Sequence, residues 1–215
     1  MATGSTPMIS RRERRRQETI EEILDLSIEV MRQDGVGGLH LSEVARRLGV
    51  QPTALYKYFP SLIAVYDALY RRALNEVFEE TAAAAAAAAP GMAVIHAAML
   101  QMTQWSAANL ELAQLIISRP IAGYRPTPEA VAPGDKLHAI FSEALKDAAA
   151  AGEIDSTIAD DRGAQIVSAL LVGVVSLMAD TGNRYSADEC VALVPDLVSM
   201  FIAAYSPPGP PPSAE

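Results

Sequence analysis

Three histidines and one cysteine set the outer limit on the chemistry this chain can carry. His40, His96 and His138 lie 42 or more residues apart, and none has a second histidine or cysteine three or four residues on, the spacing that puts two metal ligands on one helix face. The single Cys190 excludes a disulfide framework and a Cys-cluster zinc site, and it suits a reducing compartment. No glycine-rich phosphate loop, no serine in a nucleophile elbow and no Cys–His neighbourhood occurs. The residue types therefore predict no catalytic site, no metal and no cofactor.

What does recur with chemical purpose is arginine. Arg11, Arg12, Arg14, Arg15 and Arg16 fall within six positions, broken only by Glu13. Residues 1–75 carry eleven Lys/Arg against nine Asp/Glu, whereas the remainder carries six against seventeen, so the net charge of −9 hides a weakly basic head on an acidic body. A polyanion can meet only the head. Behind the arginines, Leu39 to Phe59 reads LHLSEVARRLGVQPTALYKYF. Val44, Ala45 and Leu48 make one face of a short helix, Gly49 permits a sharp turn, and Val50 and Leu55 fill the angle to a second helix. That is the pattern of a helix-turn-helix, whose second helix enters the major groove. Its free positions, Gln51, Thr53, Ala54, Tyr56 and Lys57, are suited to base edges, phosphates and a thymine methyl.

The stretch from Ile23 to about Leu69 resembles the DNA-binding domain of TetR-family transcriptional regulators. The carrying residues are the first helix ending Asp34-Gly35, then Leu41-Ser42-Glu43-Val44-Ala45, Leu48-Gly49-Val50, Leu55-Tyr56-Lys57-Tyr58-Phe59, and Leu69. The resemblance adds His40, Ser42, Pro52 and Tyr58 to the DNA-binding set. It implies an operator-binding repressor that acts as a homodimer and is released by a small molecule. This chain has His40 where such proteins usually place a Thr or Ser cap, Gln51 where they place Ser, and Leu62 where they place a phosphate-binding Lys. The arginine arm is expected to replace that contact from the adjacent minor groove. The second half is similar to the C-terminal domain of many actinobacterial members in keeping Gly173 and Ser176-Leu177.

Helices must position all of this. Apolar spacings of three and four predict helices over Arg11–Gln33, Leu41–Leu48, Pro52–Tyr58, a stretch capped by Ser61, the alanine run Ala82–Ala89, Met92–Ser118, Asp135–Ala151, Ile158–Thr181 and Ser186–Tyr205, with a loop over Arg119–Gly134. The fold class is all-α: an N-terminal three-helix helix-turn-helix domain and a larger helical domain for ligand binding and dimerisation. The divisions are a basic disordered arm (1–16), the DNA-binding domain (17–66), the ligand and dimer domain (67–205) and a Pro-rich tail (206–215). His96, Met99, Met102, Trp105, Asn109, Tyr124, His138, Phe141 and Met178 are the candidate ligand wall, mostly apolar with a few orienting polar groups; Gln101 and Asp180 lie on the same helices. Ala169, Gly173, Val174, Ser176, Val194, Val198, Phe201 and Ile202 on the last two helices are the candidate dimer face. The apolar run Ile166–Ala179 is shorter than the roughly 20 residues of a bilayer span, so the chain reads as soluble and intracellular without a membrane partner. The partners implied are double-stranded operator DNA, a second copy of the chain and an apolar small molecule. A regulator of the same fold controlled by a protein, or without an effector, stays open at this point, as does a helical module that never touches DNA.

Overall fold

The computed structural model describes residues 10–118, 121–179 and 184–207, and among these the regular structure is helical. Residues 1–9 of the arm, Asp180 and residues 208–215 of the tail lie outside them. Two compact units divide the chain after Leu69.

The first unit contains α1 (Arg11–Asp34), α2 (Leu41–Leu48), a 3-10 helix over Pro52–Lys57 and the start of α3 (Leu62–Ala87). The arginines are not a disordered arm: Arg11 to Arg16 are the first turns of α1. Ser10 caps them by accepting a hydrogen bond from the Glu13 N–H at 3.1 Å. Ile23, Met31, Leu39, Val44, Ala45, Leu55, Val65 and Leu69 are sealed from solvent and form the core. Buried Tyr66 donates its hydroxyl to the Val36 carbonyl at 2.7 Å, fastening α3 to the turn after α1; the same burial pushes its phenol up from the ordinary value. Pro52–Tyr58 is a 3-10 helix rather than an α-helix. Phe59, standing before Pro60, is driven toward extended backbone, which ends the segment within two turns.

In the second unit the helices are α3 from Tyr70, α4 (Met92–Ala108), α5 (Leu110–Ile117), α6 (Pro128–Ala150), α7 (Asp161–Met178) and α8 (Ala187–Ala204). The alanine run is the end of α3 rather than a helix of its own. Met92–Ser118 is two helices, because Asn109 turns its amide onto the Trp105 carbonyl (3.0 Å) and leaves helical backbone there. α6 starts seven residues earlier than its apolar spacing predicts. Thr127 caps it, Pro128 occupies the first position, where no N–H is needed, and Pro133 is absorbed inside. Asp160 caps α7, and a reciprocal Ser186–Glu189 capping box opens α8. α4 packs against α6, α7 and α8, and α7 packs also against α5, α6 and α8. α7 meets the length and composition of a membrane span, a test that core helices also pass, and its Val167, Leu171, Val174 and Val175 are buried in the second unit.

One glycine is dictated by close approach. A Cβ on Gly163 would collide with the carbonyl oxygen of Ile158, whereas a Cβ on Gly173, in the same helix, meets nothing within 4 Å. Gly163→Ala is expected to destabilise by about 1–3 kcal/mol through overpacking, and Gly173→Ala to stabilise by about 0.5–1 kcal/mol through helix propensity; urea unfolding of the two variants checks the opposite signs.

A second constraint ties α2 to α1. Glu43 accepts two hydrogen bonds from the Arg46 guanidinium (2.7 and 2.8 Å) and one from Arg47 (2.7 Å), while Arg47 also donates to Gln33 at 2.6 Å and lies 3.6 Å from Glu29. The Arg46 bond and then the Arg47 bond hold the Glu43 carboxyl down to about 2 from its ordinary 4.5. A carboxyl depressed on folding stabilises the native state above its unfolded pKa, and that contribution is lost as pH falls through the folded one. The difference in denaturation midpoint between the natural chain and Glu43→Gln should therefore be full above about pH 4.5 and shrink as pH falls toward 2.

Candidate nucleic-acid interface and ligand cavity

The turn between α2 and the 3-10 helix depends on Gly49. Its φ of 73° is a left-handed conformation that lets its N–H reach the carbonyls of Ala45 and Arg46, and Val50 N–H then reaches Ala45 at 3.0 Å. The chain reverses there, and Leu55, completely buried, plugs the 3-10 helix onto the core. Val50, expected to share that role, is instead 39% exposed, because only one side of so short a segment can face inward.

The candidate DNA-binding side chains are accordingly presented to solvent. His40, Ser42, Gln51, Pro52, Thr53, Tyr56 and Lys57 are exposed, Ala54 and Tyr58 half-buried. His40 stands at the N-cap of α2 without capping it by its side chain. A groove of about 460 Å³ runs between His40, Ser42, Pro52, Tyr56, Ser61 and Leu62, and it holds no lysine or arginine. Arg11, Arg12, Arg14, Arg15 and Arg16 are all exposed on α1. Arg46 and Arg47, which sequence reasoning left without a role, are engaged by Glu43.

Within the second unit, a cavity of about 320 Å³ opens among five helices. Leu74 and Val77 of α3, Met102, Trp105 and Ser106 of α4, Ala113, Ile116 and Ile117 of α5, Gly134, Leu137, His138 and Phe141 of α6, and Ser168, Leu171, Val172 and Val175 of α7 line it. The volume lies at the lower end of the range for small-molecule sites, roughly 300–1,000 Å³. Its polar atoms are few. The Ser106 hydroxyl donates to the Met102 carbonyl and the Ser168 hydroxyl to the Ala164 carbonyl, both at 2.8 Å, so each oxygen keeps only its acceptor capacity. His138 stands 3.9 Å from the Asp161 carboxylate. Among the described residues, no group of three or more His, Cys, Asp or Glu is arranged to hold a metal ion.

Of the candidate ligand residues, Met102, Trp105, His138 and Phe141 meet at this cavity, and the other five do not. Met99 is buried in the core, Tyr124 packs edge-on to Tyr70, and Asn109 closes the end of α4. His96 and Met178 are half-buried elsewhere on their helices, and Gln101 donates to Glu80 at the surface. The Ile116-Ile117 pair and the small Ser106 and Ser168 were legible only as helix interior.

The candidate dimer residues divide as well. Ala169, Gly173 and Ser176 are exposed on α7. Val174, Val194, Val198 and Phe201 are buried inside this chain and Ile202 is half-buried, because α8 turns its Cys190–Val194–Val198–Phe201 stripe toward its neighbours. These four are core, not an outer face. The large apolar side chains left outward on the two helices are Val172 (43%), Leu193 (37%) and Met200 (67%).

Comparison with known proteins agrees with this geometry. Residues 23–69 match the family model of bacterial regulatory proteins of the tetR family. No curated protein matches the sequence. Among solved structures, the chain is similar to a TetR/AcrR-family transcriptional regulator from Thermobifida fusca (23% identity, 88% of this chain and 100% of that one, TM-score 0.64). It is also similar to a tetR-family regulatory protein from Rhodococcus (17%, 88% and 97%, TM-score 0.68). A third similar structure is the transcriptional regulator FadR from Bacillus subtilis in complex with stearoyl-CoA (17%, 85% and 97%, TM-score 0.68). The shared fold extends over both units. The family model covers residues 23–69, the helix-turn-helix segment of the first unit, and over that stretch the chain is similar to the tetR family of bacterial regulatory proteins.

Proposed function

We propose that this chain is a cytoplasmic, homodimeric transcriptional repressor, released from a palindromic operator when a mainly apolar small molecule fills the cavity of the second unit. In this reading residues 17–66 read DNA, with Gln51, Thr53, Tyr56 and Lys57 at base edges and phosphates, and residues 67–205 bind the ligand and the second copy. The observation that carries it is the continuity of α3: Val65 and Leu69 belong to the core of the DNA-binding unit, while Leu74 and Val77 of the same helix line the cavity. A ligand that displaces Leu74 and Val77 acts on a rigid element shared with the reading head. The mostly hydrocarbon wall and its few acceptor oxygens favour an apolar ligand, and the similar FadR regulator holds stearoyl-CoA, which makes a long-chain acyl thioester the first probe. The outward Val172, Leu193 and Met200, together with the exposed small residues Ala169, Gly173 and Ser176 of α7, support the second copy packing on α7 and α8.

Two measurements test this. Trp105 is the only tryptophan and lines the cavity, so its fluorescence reports ligand entry. Saturating operator DNA should weaken the ligand by the same factor by which ligand weakens operator, about 5–150-fold; an acyl thioester that quenches Trp105 with equal affinity in the presence of operator would remove the release mechanism. Met200→Glu places a charge on an outward face and should convert sedimenting dimers to monomers with the helical content retained, whereas Phe201→Glu buries a charge and should unfold the second unit.

A further inference from the structure

Arg11, Arg12, Arg15, Arg16 and Thr19 occupy positions i, i+1, i+4, i+5 and i+8 of α1, a single helix face, and that face meets Lys57 and Tyr58 across a concavity of about 670 Å³. The Arg16 guanidinium carbon lies 5.9 Å and the Lys57 Nζ 4.9 Å from the centre of the Tyr58 ring, so one aromatic plane holds a cation from each of two elements. Five cationic side chains converge there, and no carboxylate lines the concavity. Arg14 and Glu13, from the same stretch, lie on other faces of the helix and do not line it. The contrast with Arg46 and Arg47 is informative, since those two are already matched by Glu43.

Like charges gathered in one place repel one another, and the cluster is relieved by an anion that carries charge along its length. Guanidinium groups match phosphate oxygens in a two-pronged fork, and duplex DNA presents about one negative charge per 1.7 Å of axis. We propose that this concavity seats the phosphodiester backbone of duplex DNA, gripped by a fixed helical face rather than by a loose arm in the minor groove, with Tyr58 as the positioning residue that keeps Arg16 and Lys57 in place. The inference rests on the reading of the first unit as a DNA-binding domain, and it deepens that reading. It also accounts for Leu62. The groove beside the 3-10 helix contains no lysine or arginine, so the grip on the backbone is gathered at the α1 side of the unit.

A loose arm and a fixed face respond differently to the loss of one charge. The full chain and single Ala variants at Arg11, Arg12, Arg14, Arg15 and Arg16 are titrated onto a fluorescein-labelled duplex of arbitrary sequence by anisotropy over a series of KCl concentrations. Loss of one phosphate contact lowers the slope of log affinity against log salt by about 0.9. That drop is expected for Arg12→Ala, Arg15→Ala and Arg16→Ala, whereas Arg14→Ala lowers the slope by less than half as much. Tyr58→Ala should lower the slope as a double loss does, and Tyr58→Phe, which keeps the ring, should not. Equal effects at Arg14, Arg12 and Arg16 would overturn the fixed face in favour of summed charge, and unchanged slopes at all four lining arginines would overturn the seat altogether. Failure of the natural chain to bind duplex DNA even at low salt would instead overturn the underlying DNA reading, before any variant is compared.

Discussion

A helix of six residues cannot hold its own place, and the exposed surface of the helix-turn-helix depends on how one such helix is anchored. Leu55 is the anchor. It is the only side chain of Pro52–Lys57 that is completely buried, and its burial against the core of the first unit leaves the other positions free to face outward. Burying one leucine is worth roughly 1.5–3 kcal/mol, comparable to the cost of fixing the backbone of only one or two residues. The rest must therefore come from the turn that precedes the segment. Gly49 in left-handed backbone, the Val50 bond to Ala45, and the absence of a bulky side chain at Ala45 together fix the entry of the chain.

Charge is arranged with similar economy. The first unit carries nine Lys/Arg against nine Asp/Glu, yet it keeps two groups of cations apart. Arg46 and Arg47 are committed to Glu43, and through Arg47 they reach Gln33 and Glu29, so they brace α2 against α1. The α1 arginines and Lys57 have no such carboxylate in their shared concavity. Exposed ion pairs stabilise weakly, about 0–1 kcal/mol each, and the value of the Glu43 cluster lies in holding geometry as much as in energy.

The second unit places its polar atoms sparingly around an apolar space. Ser106 and Ser168 satisfy their hydroxyl protons on their own helices, which removes the penalty of buried donors while leaving acceptor oxygens at the wall. His138, which lines the cavity, stands beside the Asp161 carboxylate. α3 spans the boundary between the units, so the same helix that is sealed by Val65 and Leu69 also presents Leu74 and Val77 to the cavity.

The sequence by itself determined the all-helical class, the bounds of α1 to within a residue and of α2 outright, the turn at Gly49, and the cap at Ser61. Each of these is a local matter, written in side-chain spacing, a glycine or a hydroxyl next to free N–H groups. It also determined that the residues around Tyr56 face out, since Leu55 is the one large, wholly apolar side chain of that segment. Tertiary structure decided what local spacing does not encode. The N-terminus of α4 is satisfied by Glu153, 61 residues away, whose carboxylate accepts from Met92 at 2.7 Å. Whether an apolar residue of α7 or α8 is core, cavity wall or outer face was likewise beyond the sequence. An almost wholly apolar helix has no polar side to set its rotation, and only its neighbours fix which way Val174, Val175 and Val172 point.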